Sequence, residues 1–578
     1  MKNNNIYDYE QAIMDIDQVL DFIDEAIKKH KPLSISRFGH GEIAYMGWLQ
    51  FPNWTKFFEP NSSYAGATAS IATIKEALIK ALKATDIVGF HTLCGKAMED
   101  QEAAKLTLEF IKYLDFRPKH VCSAFITHEM IKNDRFWRCL KDKKIALVGR
   151  RAAEAYHIFE AQGIHVVYTT ILEGYEEIEI VYDELYKRTD WDIALLSAGI
   201  PATILAPRLA KKTNKVVIDF GHALDKLIDG ENFNYEKILR NWKARNTKKM
   251  LVSMVMAVHN GEIYLKEALD SMLSQTYKNI EIIIVNDGST DTTKDILDQI
   301  TDNRVRVIHL KDNRGAANAL NIGIKEANGS WIAIQDADDN SYPTRIEEQV
   351  KYVLEHPLLV GVGSFIECIS GRDNISEYNL KSIAQKRNFF RSREEIRKNI
   401  YYGCPLTHSS VMFSKDSFFD VGGYNTDFKI VYDYDLWLRL LEKGEIENVP
   451  KVLVQYRMHN ESLSNKNARE TLKEIQIASS RAIYRLFRRN KNYMPKVMVI
   501  GSKKGCENYK EYIAPNSGLK VEAFIHERWQ VPYISRCLKE GKIDAIIVLD
   551  GRGKDKIMDD LKRRGLKLNT NVFCLYNF

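Results

Sequence analysis

With 578 residues the chain is too long for a single hydrophobic core, and about three or four domains are expected. Hydrophobic and charged residues make up 45% and 28% of it, and the formal charge is only +6, which argues against nucleic-acid binding and suits small anionic substrates. Eight scattered cysteines (Cys94, Cys122, Cys139, Cys368, Cys404, Cys506, Cys537, Cys574), with no C-x-x-C pair, exclude a disulfide framework or a zinc site. The opening Met1-Lys2-Asn3-Asn4-Asn5 lacks a signal-peptide core, and no apolar run reaches the ~18 residues of a membrane span, so a cytoplasmic protein is expected.

In chain order, the first segment (1–240) opens with Ser34-Ile35-Ser36-Arg37-Phe38-Gly39-His40-Gly41-Glu42. A strand-like run ends in Arg37, whose guanidinium can fork onto phosphate, and Gly39 and Gly41 allow close backbone approach to a ligand. Strands are expected at 144–148, 165–168, 192–196 and 215–218, separated by helix-length stretches, and such alternation implies a largely parallel sheet. Gly149-Arg150-Arg151 follows one strand and leads into a helix, an arrangement suited to a phosphate. Ser197-Ala198-Gly199 and Asp219-Phe220-Gly221-His222 end two others. The polar, basic stretch 240–249 reads as a linker.

The second segment (250–490) has expected strands at 251–258, 280–285, 305–310 and 331–334, and helices at 263–274, 292–300 and 316–327. Each strand ends in a polar loop: His259-Asn260-Gly261-Glu262, Asn286-Asp287-Gly288-Ser289, Asn313-Arg314-Gly315 and Gln335-Asp336-Ala337-Asp338-Asp339. In a parallel sheet such exits converge on one ligand crevice. Three carboxylates in one loop repel one another, and a Mg²⁺ or Mn²⁺ ion completed by substrate phosphates would remove the conflict. The alternative is an acidic turn capping the next helix.

The third segment (495–578) has expected strands at 497–500, 519–525 and 545–549 and reads as a small nucleotide-binding-like fold with a structural or assembly role. Before it, Arg481-Ala482-Ile483-Tyr484-Arg485-Leu486-Phe487-Arg488-Arg489 is basic and amphipathic. It either touches an anionic membrane surface or packs Ile483, Leu486 and Phe487 inward.

The central loops, followed by Pro343, Arg345, Gly422-Gly423-Tyr424, Asp433-Tyr434-Asp435-Leu436-Trp437 and Tyr456-Arg457-Met458-His459, resemble the family-2 inverting glycosyltransferases of GT-A fold over about 230 residues. The resemblance implies that His259, Glu262, Asp287, Arg314 and Asp336 bind the nucleotide sugar, that Asp338 and His459 hold the metal, and that Asp433 is the catalytic base. The family usually has Glu where this chain has Tyr432, and Tyr where it has His259. The strings around Arg37, Ser197 and Asp219 resemble the GT-D-fold glycosyltransferases over about residues 20–228. That resemblance implies donor binding by Arg37, Gly39, Gly41, Gly149 and Asp219, catalysis through Glu42, and a metal at an Asp-x-Glu motif that here reads His40-Gly41-Glu42. The expected fold is therefore multidomain α/β: a Rossmann-like GT-D domain, a GT-A domain and a small Rossmann-like domain. The expected function is a two-headed glycosyltransferase building a bacterial-type surface glycan on a saccharide acceptor, lipid- or protein-linked, with peripheral membrane contact and no nucleic acid. A single active head, or an inactive glycan-binding scaffold, are the rival readings.

Overall fold

The computed structural model describes residues 9–47, 50–51, 71–93, 98–234, 236, 238, 250–356, 358–459, 467–488, 493–549, 551 and 553–576. The stretch 240–249, read as a linker, lies outside them. The chain divides into two compact units, one of Met1–Thr247 with Leu354–Leu358 and one of Lys248–Val353 with Leu359–Phe578.

The first unit holds eight strands: β1 (Ile13–Met14), β2 (Leu33–Phe38), β3 (Ile87–Phe90), β4 (His120–Ser123), β5 (Lys144–Gly149), β6 (His165–Thr170), β7 (Ile193–Ser197) and β8 (Val216–Asp219). Their order is β1-β4-β3-β2-β8-β7-β5-β6, and every pairing is parallel. Helices cover both faces, so the strands are apolar throughout rather than alternating. Ile145 and Leu147 enter one buried cluster, and Ala146 and Val148 the other. The strand order reverses between β2 and β8, the place where an open parallel sheet leaves a crevice beyond its carboxyl edge.

The second unit contains β9 (Val252–Val258), β10 (Ile280–Asp287), β11 (Val305–Leu310), β12 (Trp331–Ile334), β13 (Asn340–Ser341), β14 (Leu359–Ser370), β15 (Met412–Ser414) and β16 (Glu445–Met458). They form a mixed sheet in the order β11-β10-β9-β12-β15-β14-β16-β13. The parallel half matches the expected strands closely. The other half is new: β15 runs antiparallel to both β12 and β14, and β14 pairs with β16 across three register shifts. Those irregularities, with Pro450 and Lys451 inside β16, mask the period-two pattern by which a strand is recognised.

A separate parallel sheet, β18-β17-β19-β20, is built from β17 (Lys496–Ile500), β18 (Lys520–Ile525), β19 (Ala545–Leu549) and β20 (Val572–Leu575). It shares one continuous apolar cluster with the mixed sheet, running from Val255 and Trp437 through Ala478 and Ile483 to Val497 and Phe573. The link is the helix Ala468–Arg488. Its apolar residues face inward, while Arg481 donates to the Asn516 carbonyl at 3.0 Å and Arg485 to Glu442 at 2.7 Å. Those contacts favour the inward-packing alternative for this basic segment. Among the described residues no helix is long and apolar enough to cross a membrane.

Candidate active sites

In the second unit, Asp287 ends β10 and is buried. Its two oxygens accept the backbone N–H groups of Arg314 and Gly315, each at 2.8 Å, which locks the loop after β11 against the end of β10. His259 Nδ1 lies 2.8 Å from the Asp287 carbonyl, so that nitrogen carries the proton. Glu262 accepts from the Thr292 backbone at 3.1 Å and its hydroxyl at 2.7 Å. The loops after β9, β10 and β11 are therefore tied into one rim.

The aspartate loop after β12 spreads its three carboxylates over three partners. Asp336 faces His408 Nδ1 at 2.9 Å, and the opposite imidazole nitrogen is 3.0 Å from the Tyr424 hydroxyl. Asp338 faces His459 Nε2 at 2.8 Å. Asp339, fully buried, accepts from the Arg457 backbone at 2.7 Å and from the Ser409 hydroxyl. Burial, reinforced by the charges of Asp338 and Asp336, holds the Asp339 carboxyl well above the ordinary range. Arg345, also fully buried, supports the loop from below through Gln335 at 3.2 Å and the Ile334 carbonyl at 2.9 Å.

Asp433 lies in the first turn of the helix Tyr432–Leu440, whose N-cap is Val431, so capping does not account for it. Burial pushes its carboxyl up, against the nearby His408. Burial also opposes the charge on His408, but Asp336 and Asp433 outweigh it and raise that imidazole. Tyr432, at the position where Glu was expected, stacks edge-on against His408 with ring centroids 5.6 Å apart. His408 was not anticipated from sequence. It starts the short turn His408–Ser410 that leads into β15, a strand with no legible pattern.

Asp338 and His459 bring one oxygen and one nitrogen within 2.8 Å of each other. Such a pair fits a divalent cation whose remaining ligands are phosphate oxygens and water. Among the described residues there is no cluster of three or more His, Cys, Asp and Glu side chains that would form a complete cage.

In the first unit, Arg37 and Asp219 meet where the strand order reverses. The Asp219 carboxylate accepts from the Arg37 backbone at 3.1 Å and from the Thr203 hydroxyl at 2.9 Å, and lies 3.6 Å from the guanidinium. Gly221 has φ +48°, and a Cβ there would fall 1.6 Å from the Arg37 guanidinium, so only glycine permits this contact. Gly39 lies beside Glu42 and His91. Burial, with Asp219 adding to it, pushes the Glu42 carboxyl up to about 7. His40 is exposed at the start of the helix His40–Gly47, 5.9 Å ring to ring from His91. Gly41 faces open space. Gly149 (φ +145°) stands where a Cβ would meet the Ser197 carbonyl at 2.3 Å, so it serves the close packing of β5 on β7. His128 and Lys226, missed in the sequence, join the same crevice with Lys226 Nζ 3.2 Å from His128 Nδ1.

Residues 14–227 match the family described as GT-D fold-like domain, and residues 253–420 match Glycosyl transferase family 2. A Haemophilus influenzae protein named only as an uncharacterized glycosyltransferase is 32% identical over 234 residues, 39% of this chain and 72% of its own length. The chain belongs to the family 2 glycosyltransferases. This glycosyltransferase carries a GT-D-like domain as well. It is also 32% identical over 233 residues to an Escherichia coli protein named UDP-Glc:alpha-D-GlcNAc-diphosphoundecaprenol beta-1,3-glucosyltransferase, covering 40% of this chain and 86% of that one. A solved Pyrobaculum calidifontis mannosyltransferase in complex with GDP-Man and Mn²⁺ aligns over 57% of this chain and 88% of its own at 15% identity, with a TM-score of 0.31. That likeness is too loose to bear on the site.

Proposed function

We propose that this glycosyltransferase works at two sites, one in each unit, passing sugars from nucleotide-sugar donors to a saccharide acceptor of a bacterial surface glycan. The observation that carries the central site is the facing arrangement of Asp338 with His459 and of Asp336 with His408, with Asp433 beside them. His259, Glu262, Asp287 and Arg314 line the rim for the nucleotide. Asp338 and His459 would hold Mn²⁺ or Mg²⁺, which neutralises charge on the departing diphosphate. Asp433 takes the proton of the acceptor hydroxyl as its oxygen bonds the anomeric carbon and the carbon–phosphate-oxygen bond breaks, with inversion. A carboxyl raised by burial is a better base near neutrality than an exposed one. The Escherichia coli relative's name makes a UDP-sugar and a lipid-diphosphate-linked saccharide the first pair to try, at the cytoplasmic face of a membrane.

A second reading, with turnover only at the central site, is favoured by the exposed His40 where an acidic metal ligand was expected. Nucleoside diphosphate release from a donor panel with Mn²⁺ tests both. Asp338→Ala and Asp433→Asn should each lower central transfer by about 100-fold or more. Residual transfer in Asp433→Asn that disappears on adding Glu42→Ala supports two active sites; residual transfer unchanged by Glu42→Ala supports one. Absence of turnover with every donor and acceptor would leave the binding scaffold as the better reading.

A further inference from the structure

The GT-D-like resemblance implies a metal site at His40-Gly41-Glu42, but the residues here do not fit one. His40 is exposed and brings no negative charge, which suits a hard cation poorly. The other carboxylates of the crevice are engaged by cations of the chain. Asp219 is paired with Arg37, and Asp225 lies 3.4 Å from Arg151 and 3.0 Å from His222.

The same crevice gathers positive groups. Arg37 reaches over from the end of β2, its guanidinium against Gly221 and 3.4 Å from the Ala124 carbonyl. Ala124 lies just before the short helix Ile126–Met130 that carries His128. Lys226, in the helix Ala223–Asp229 after β8, donates to His128 Nδ1. The proton of the neutral ring is therefore on Nε2. Burial, then the charges of Lys226, Arg37, His222 and Lys132, press His128 down to about 3, so the ring stays neutral. Its Nε2 is a buried donor with no hydrogen-bond partner among the described residues, while the Nε of Arg37 faces Asp219 Oδ1 at 3.6 Å, an ion pair too long for a hydrogen bond. A buried donor left unmatched is costly, and its place in a cation-rich crevice indicates that an anion completes the site. Beside them, Gly199 (φ +62°) begins the helix Ile200–Thr213 at the carboxyl end of β7, whose N-terminal dipole has the same sign.

We propose that the first unit grips a nucleoside diphosphate with its own cations and donors, Arg37, His128 and Lys226, in place of a divalent metal. This rests on the reading of that unit as a nucleotide-sugar site. The diphosphate would take the Arg37 fork, the Lys226 ammonium and the His128 Nε2–H, with Gly221 leaving room for the approach.

Hydrogen exchange on the full chain with UDP, GDP, CDP or dTDP in excess EDTA tests it. For at least one nucleotide, exchange in peptides spanning 120–130 and 219–229 should slow. Lys226→Met and Arg37→Gln should each weaken that protection by about tenfold in apparent affinity. Lys226→Arg should retain it, and protection around 286–291 in the presence of Mn²⁺ should be unchanged, which separates loss of contact from loss of fold. Protection at 120–130 seen only with Mn²⁺ or Mg²⁺ would overturn the metal-free grip while leaving the donor-site reading standing. No protection with any nucleotide, with or without metal, would overturn both. Protection undiminished in Lys226→Met would overturn the assignment of the cradle.

Discussion

Three adjacent carboxylates on one turn are an electrostatic liability, and the way each is handled separates their roles. Asp339 is buried, hydrogen-bonded and raised, so it acts as a structural acid holding β16 to the loop through Arg457. Asp336 and Asp338 each keep an imidazole partner and stay partly exposed. Glu42 in the first unit presents the opposite situation, a carboxyl whose burial outweighs the nearby Arg37 charge. Its raised value carries a sign for stability. The folded state holds its proton more tightly than the unfolded chain, so ionising Glu42 costs stability as pH climbs from about 4.5 through about 7. Glu42→Gln should therefore raise the melting temperature of the first unit at pH 8 and change it little at pH 5. Equal shifts at both values, read by calorimetry, would show that the carboxyl is not perturbed.

At the scale of elements, the helix bearing Asp433 is positioned from outside. Glu474, buried on the helix Ala468–Arg488, accepts the backbone N–H groups of Lys429, Ile430 and Val431 at 3.0, 2.9 and 3.1 Å. These are the residues just before the turn that carries Asp433, so Glu474 satisfies orphan donors and fixes the angle at which Asp433 is presented. Glu474→Ala should lower the turnover of the central site by about 10- to 100-fold while leaving donor affinity within about twofold, because the rim of β9, β10 and β11 is untouched. Parallel losses in both quantities would mean a general collapse instead. Little of this was readable in the chain. The strands β9 to β12 and their loops announce themselves by apolar runs ending in polar turns, and the expected bounds agree to within two residues for β11 and β12. His408, Glu474, His128 and Lys226 lie on segments whose local pattern is ordinary. Their importance comes from strand pairing and helix docking at separations of 45 to 98 residues, which no local period encodes.

At the scale of the second unit, the small C-terminal sheet is inseparable from the transferase core. Phe573 of β20 meets Tyr401 and Phe487 edge to face, with ring centroids 5.0 and 6.1 Å apart, and Asn569 donates to the carbonyls of Arg397 and Lys398 at 2.8 and 2.9 Å. The Tyr434 hydroxyl meets Ser479 at 2.8 Å, and Ser480 meets Tyr509 at 2.8 Å, so the long helix is stitched on both sides. A chain ending at residue 490 would expose the apolar face of that helix. It should accumulate as insoluble protein without central transfer, and soluble, active truncated protein would show the sheet to be dispensable. The shared core also orders events during synthesis. The central unit cannot close its interior while its last strand, ending at Leu575, is still within the ribosome. Until that strand emerges, a long apolar helix face waits without cover, and that interval is when this half of the molecule is most exposed to aggregation.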